Sequence, residues 1–274
     1  MSPAKEFSNL PLENEIDSAW ILSVIVTLFM VILSLLGLFI PGNIYKEEAL
    51  IQTYKTNDVV NLLIGLPIML GSLWLARRGK LVGLLCWPGA LLFIIYNYIA
   101  YIFGMPLGYL SMAYLVMVLL SSYNVYALIT KIDKHAVKAK LSGAVAEKLS
   151  GWFLFIFGIL FILRALIEYL SATQNQEILT PPDISVLLAD VVISILWISG
   201  GVLLLRYMPL GYTSGLGLLF VASSLFLGLI IFLLIQPVLT TAIFNLIDLV
   251  VVAVMGLILS IPFVFYLRGT LKAE

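Results

Sequence analysis

The apolar and polar positions of the chain sort into long uncharged runs separated by short polar breaks. Ala19 to Ile40 is 22 residues without a charge and stops at Pro41-Gly42. About 20 such residues are enough to cross a bilayer as an α-helix. The same test predicts further crossings at about 58–77, 81–103, 107–130, 151–171, 183–206, 211–236 and 243–267, eight in all. Their limits fall at breakers and charges: Arg77-Arg78-Gly79-Lys80, Gly104-Met105-Pro106, Tyr207-Met208-Pro209 and Gln236-Pro237. The shortest break lies between the third and fourth runs, where a re-entrant hairpin would lower the count to six. The predicted fold class is all-α, a polytopic transmembrane bundle of about eight helices. A polar tail over residues 1–18 precedes a first four-helix half over 19–130. A basic connection over 131–150 then leads to a second half with a short tail over 151–274.

The polar breaks also carry an orientation. The tail holds Lys5 against Glu6, Glu13, Glu15 and Asp17, without the basic start of a cleavable signal peptide. With this tail inside, the inner segments collect Lys5, Arg77, Arg78, Lys80, the lysines at 131, 134, 138, 140 and 148, Arg206, Arg268 and Lys272. The outer segments hold only Lys46 and Lys55. Lysine and arginine gather on the cytoplasmic side, so both termini are expected there, in a cell membrane. The connection Lys131 to Ser150 admits two readings: a solvated basic loop, or an amphipathic stretch with Leu141 and Val145 lying on anionic headgroups.

Two short similarities raise the question of an internal repeat. Asp58-Val59-Val60 and Asp190-Val191-Val192 sit early in the second and sixth runs, as parallel four-helix copies would place them. Met105-Pro106-Leu107-Gly108-Tyr109 recurs as Met208-Pro209-Leu210-Gly211-Tyr212, out of that register and on the opposite side, and reads as reused turn chemistry.

Composition removes several classes of function. Apolar residues make up 62% and charged residues 11%, against about 45–50% and about 25% in soluble domains. With 15 basic and 15 acidic residues the net charge is zero, which leaves no electrostatic footprint for nucleic acid. Cys86 and His135 are each the sole residue of their type, so disulfides, thiolate or histidine metal centres and Ser-His-Asp chemistry are not expected. No cofactor motif is present; the glycines lie within apolar runs and lack the strand context of a nucleotide loop.

The remaining chemistry rests on charges and amides within the spans, where each charge costs about 2.5–3.5 kcal/mol to insert. Arg164 and Asp190 each lie seven residues inside the outer end of consecutive antiparallel runs, hence at a common depth of about 10 Å. That register predicts an Arg164–Asp190 ion pair, with Glu168 one turn from Arg164 and able to share it. Asp58 and Asp248 stand near run starts, where capping and the helix dipole suffice to explain them. Asn97 and Asn61 are amides in need of partners. Tyr96, Tyr98, Tyr101, Tyr109 and Tyr114 read as an interfacial belt. Ser121, Ser122 and Asn124 read as helix-to-helix hydrogen bonding.

Three functional readings follow. The first is a transporter or ligand-binding membrane protein for a small molecule or ion, with a polar site in the outer half built from Arg164, Glu168, Asp190, Asn97, Asp58 and Asp248. The second is a structural or accessory membrane subunit whose polar residues only join helices and whose 131–150 connection docks a protein partner. The third is an intramembrane lipid-modifying enzyme using Glu168 and Asp190; with no histidine or metal cluster, enzymatic activity is the least supported reading.

Overall fold

The computed structural model describes residues 10–176 and 178–274. The first part of the polar tail, with Lys5 and Glu6, lies outside the described residues. The chain is an all-helical transmembrane bundle. Among the described residues, eight helices are long and apolar enough to span a membrane: α1 (Asp17–Phe39), α3 (Glu48–Arg77), α4 (Leu81–Gly104), α5 (Tyr109–Lys131), α7 (Glu147–Gln174), α8 (Pro181–Leu205), α9 (Pro209–Leu239) and α10 (Leu246–Ala273). Two short helices join them, α2 (Pro41–Ile44) and α6 (Lys134–Leu141). Both α4 and α5 are continuous helices long and apolar enough to cross, unlike the half-spans of a re-entrant hairpin.

The bundle is arranged around α4, whose residues are buried along almost its whole length. Helices α3, α5, α8 and α9 all pack against it. The sequence permits this because α4 carries no charge and places Gly89 where α9 crosses. A Cβ on Gly89 would overlap the carbonyl oxygen of Gly217 and sit 3.0 Å from its Cα, and one on Gly217 would sit 2.8 Å from the carbonyl oxygen of Leu85. Two backbones in direct contact leave no room for a side chain at either position.

The basic connection contains a short amphipathic helix. Asp133 caps α6 by accepting from the His135 and Ala136 N–H groups. Val137, Leu141 and Val145 are buried, and the helix packs on α9 and α10. The described part of the tail is also docked: the Glu13 N–H donates to the Lys131 carbonyl, and the Asp133 N–H to the Pro11 carbonyl. At the same end Glu274 accepts from the Val82 N–H and lies 3.4 Å from Lys80. This is the basic end of the bundle; the opposite end carries α2 and the connections after α4, α7 and α9.

The four-plus-four repeat is not confirmed. Its supposed partners differ: α4 is enclosed while α9 has a large exposed share, and α3 has π-helical stretches where α8 is regular. The repeated pentapeptide stands at two helix starts in different registers. Helix α5 begins at its fifth residue, Tyr109, and α9 begins at its second, Pro209.

Candidate functional site

Helix α3 begins at Glu48, ten residues before the start expected from the charge pattern. The addition includes Glu48, Lys55 and the polar Gln52, Thr53, Thr56 and Asn57, which lowered the apparent hydropathy without preventing helix formation. One consequence is that Asp58 lies in the third turn rather than at a cap, so the capping reading of Asp58 is wrong. Around it α3 alternates geometry: π-helical at Ile51–Lys55, α-helical at Thr56–Val60, π-helical again at Asn61–Gly65. Such widened turns inside helices recur at functional sites because they shift side-chain register and loosen the backbone ladder.

Two polar centres result. In the first, Asp190 of α8 is buried and accepts from the Tyr96 hydroxyl at 2.8 Å on one oxygen and from Arg164 at 2.8 Å on the other. The ion pair predicted from equal depth is therefore present. Its members differ in setting, with side-chain exposures of 50% for Arg164 and 3% for Asp190. Glu168 lies 3.7 Å from the same guanidinium. Arg164 and Glu168 thus sit behind Asp190, on the outward side of α7.

Beside Asp190 is a partly open cavity of about 200 Å³ lined by α3, α4, α7, α8 and α9. Its polar wall is made by Asp190, Tyr96, Asn97, Asn57, Thr53 and Tyr54, and its apolar wall includes Phe93, Phe161, Trp197, Phe226 and Phe232. Asn97 spends its amide N–H on the Phe93 carbonyl at 2.9 Å. The indole N–H of Trp197, buried in the wall, has no hydrogen-bond partner among the described residues. The site is a predominantly apolar cavity, rich in aromatic side chains, at whose margin Asp190, Tyr96 and Asn97 are hydrogen-bonded within the protein.

The second centre is Asp58. Tyr45 donates to one oxygen at 2.6 Å and Tyr101 to the other at 2.8 Å. Tyr54, Tyr98 and Tyr114 complete a buried cluster in which neighbouring rings lie 4.6–5.8 Å apart. Tyr98, Tyr101 and Tyr114 therefore do not form an interfacial belt; Tyr109 alone of the α5 pair is exposed. Buried hydroxyls are tolerated here because Tyr45 and Tyr101 donate to the carboxylate, Tyr54 to the Ala100 carbonyl at 3.0 Å and Tyr98 to the Met30 carbonyl at 3.5 Å.

The sequence-derived candidates thus separate. Asp190 and Asn97 line the cavity, Arg164 and Glu168 support it from behind, and Asp58 occupies an adjacent centre. Asp248 is elsewhere, in the exposed first turn of α10, where Asn245 accepts from the Ile247 N–H and donates to the Asp248 carboxylate. The cap is therefore Asn245, with Asp248 in the first turn at the positive end of the helix dipole. Away from the cavity, Asn124 donates to Ser23 and to the Ala19 carbonyl, joining α5 to α1. The sequence reading missed Asn57, Phe161, Trp197, Tyr45 and Tyr54. Tyr54 and Asp58 at i, i+4 was a readable signal; the aromatic wall was not, since any apolar span is rich in such residues.

No protein-family model, curated protein or solved structure matches the chain.

Proposed function

We propose that the protein binds a small, largely apolar molecule with a hydrogen-bonding head in the cavity before Asp190, and moves it across or within the membrane. The observation that carries this reading is the cavity itself, which aromatic side chains line together with Asp190, Asn57 and Asn97. Because Arg164 balances the charge of Asp190 from behind, the head group suited to the site is a neutral donor or acceptor, or a weakly basic amine. The bundle is oriented with its basic end towards the cytoplasm, since lysine and arginine are concentrated there.

The test is thermal stabilisation of the purified protein in detergent by a panel of small aromatic alcohols, amides and amines, followed by uptake of any hit into proteoliposomes. Val186→Phe, which fills the cavity, and Asn97→Ala are expected to weaken a hit about tenfold or more while leaving the unfolding temperature within a few degrees. Equal affinity in both folded variants would remove the cavity from the function.

The accessory-subunit reading draws on one observation, the Arg164–Asp190 pair, which also serves to lock α7 to α8. A stable, partner-free protein with saturable binding of a panel member counts against it.

A further inference from the structure

Asp58 has no role in the cavity wall, yet it is the most completely enclosed acidic side chain described apart from Asp190. Unlike Asp190, it forms no ion pair among the described residues. The elements packed around it supply titratable groups of one kind only: Tyr45 from the segment before α3, Tyr54 from α3, Tyr98 and Tyr101 from α4, and Tyr114 from α5. Helix α1 contributes Ser34 and Gly37, and α9 has no charged residue at all. The nearest charges in sequence are Lys55, half-buried one turn earlier, and the exposed Lys46, Glu47 and Glu48 beside Tyr45. A bare carboxylate inside a membrane needs a neutralising partner.

Two further observations restrict what that partner is. A methyl group at Gly37 would overlap both the Asp58 carboxylate and the Tyr45 hydroxyl, so the centre is packed too tightly for a metal ion with its own coordination shell. One turn along α3, the fully buried Asn61 uses its amide N–H on Ser34 at 3.4 Å, while its carbonyl oxygen accepts nothing among the described residues. Ser34 adjoins the Asp58 carboxylate. A free acceptor therefore stands in the same hydrogen-bonded group as a carboxylate that has no cation.

We propose that Asp58 is a proton-binding site within the bundle, loaded from the far end through the Tyr45 hydroxyl. Tyr45 is buried, immediately precedes the exposed Lys46-Glu47-Glu48 segment and already donates to Asp58; as its hydroxyl proton passes to that carboxylate oxygen, a proton from water at the far end replaces it on the phenol oxygen. Tyr101, on the other oxygen, also contacts the Tyr54 carbonyl at 3.3 Å, and Tyr54 lines the cavity. The two π-helical stretches on either side of Asp58 supply the backbone slack for α3 to respond to the change of charge. The proton site stands on its own geometry, whatever the cavity binds.

The experiment is infrared difference spectroscopy on the full chain in lipid nanodiscs, titrated from about pH 4 to about pH 10 to span the carboxyl and phenol ranges. The wild type is expected to show a protonated-carboxyl band whose intensity changes with pH. Asp58→Asn abolishes that band, and Asp190→Asn retains it. Tyr101→Phe, which removes a donor from the carboxylate, moves its midpoint by about one pH unit or more, whereas Tyr109→Phe does not. Asp58→Glu displaces the band without abolishing it, and decides the assignment if the asparagine variant does not fold. A wild type without a titrating carboxyl band, or a band unchanged in both Asp58 variants, would overturn the proposal.

Discussion

At the scale of residues, two buried carboxylates are stabilised by different means. Asp190 is held by a guanidinium and a phenol, Asp58 by two phenols alone. Removing only the cation from Asp190 strands a desolvated charge. Arg164→Met is therefore expected to cost about 1–3 kcal/mol, less than for a fully buried pair because the guanidinium is half-exposed. Adding Asp190→Leu to Arg164→Met is expected to restore most of that loss, measured as unfolding temperature in a fixed detergent. A double variant no more stable than Arg164→Met would show that Asp190 stabilises through Tyr96 rather than through the ion pair. The Arg164–Asp190 pair was legible in the sequence because helix rise converts position into depth. The partners of Asp58 were not, because Tyr45 lies outside any span and reaches the carboxylate only after the chain turns back at α2.

Among the elements, α4 carries the architecture and α3 the irregularity. The Gly89–Gly217 contact sets how closely α4 and α9 approach, and so how wide the cavity can be. Gly89→Ala is expected to destabilise the bundle by about 1–3 kcal/mol, as overpacking does. Gly71→Ala, where an added Cβ meets nothing within 4 Å, is expected to be neutral or to stabilise by up to about 1 kcal/mol through helix propensity. Thermal unfolding of the two variants side by side checks both, and equal behaviour would mean that the backbone contact is not limiting. The span limits of most helices were legible from charge-free length. Those of α3 were not, because a bundle supplies partners for polar residues that a hydropathy window counts only as a cost.

At the scale of the whole molecule, threading is a prediction that labelling can check. In a background lacking Cys86, which is buried, single cysteines at Lys138 and at Ser142 are expected to react with a membrane-impermeant thiol reagent only from the cytoplasmic side. A cysteine at Lys46 or Ile243 is expected to react only from the other side. Reaction of Lys138 and Lys46 positions from one side would refute the eight-crossing path. The docking of residues 11–13 on 131–133 and of Glu274 on the start of α4 gathers the basic end into one surface.

What the sequence determined by itself was the class of solvent, the series of charge-free runs and the charge asymmetry of the two ends. These follow from the cost of placing charge and unpaired backbone in hydrocarbon, which acts on each segment independently. Only the tertiary structure decided which helix faces which. Apolar spans are apolar all round, so periodicity does not distinguish the lipid face of α7 from the enclosed faces of α4. Rotation is set instead by close contacts such as Gly89 on Gly217, and those contacts place an aromatic-lined cavity beside Asp190 and a tyrosine cage around Asp58.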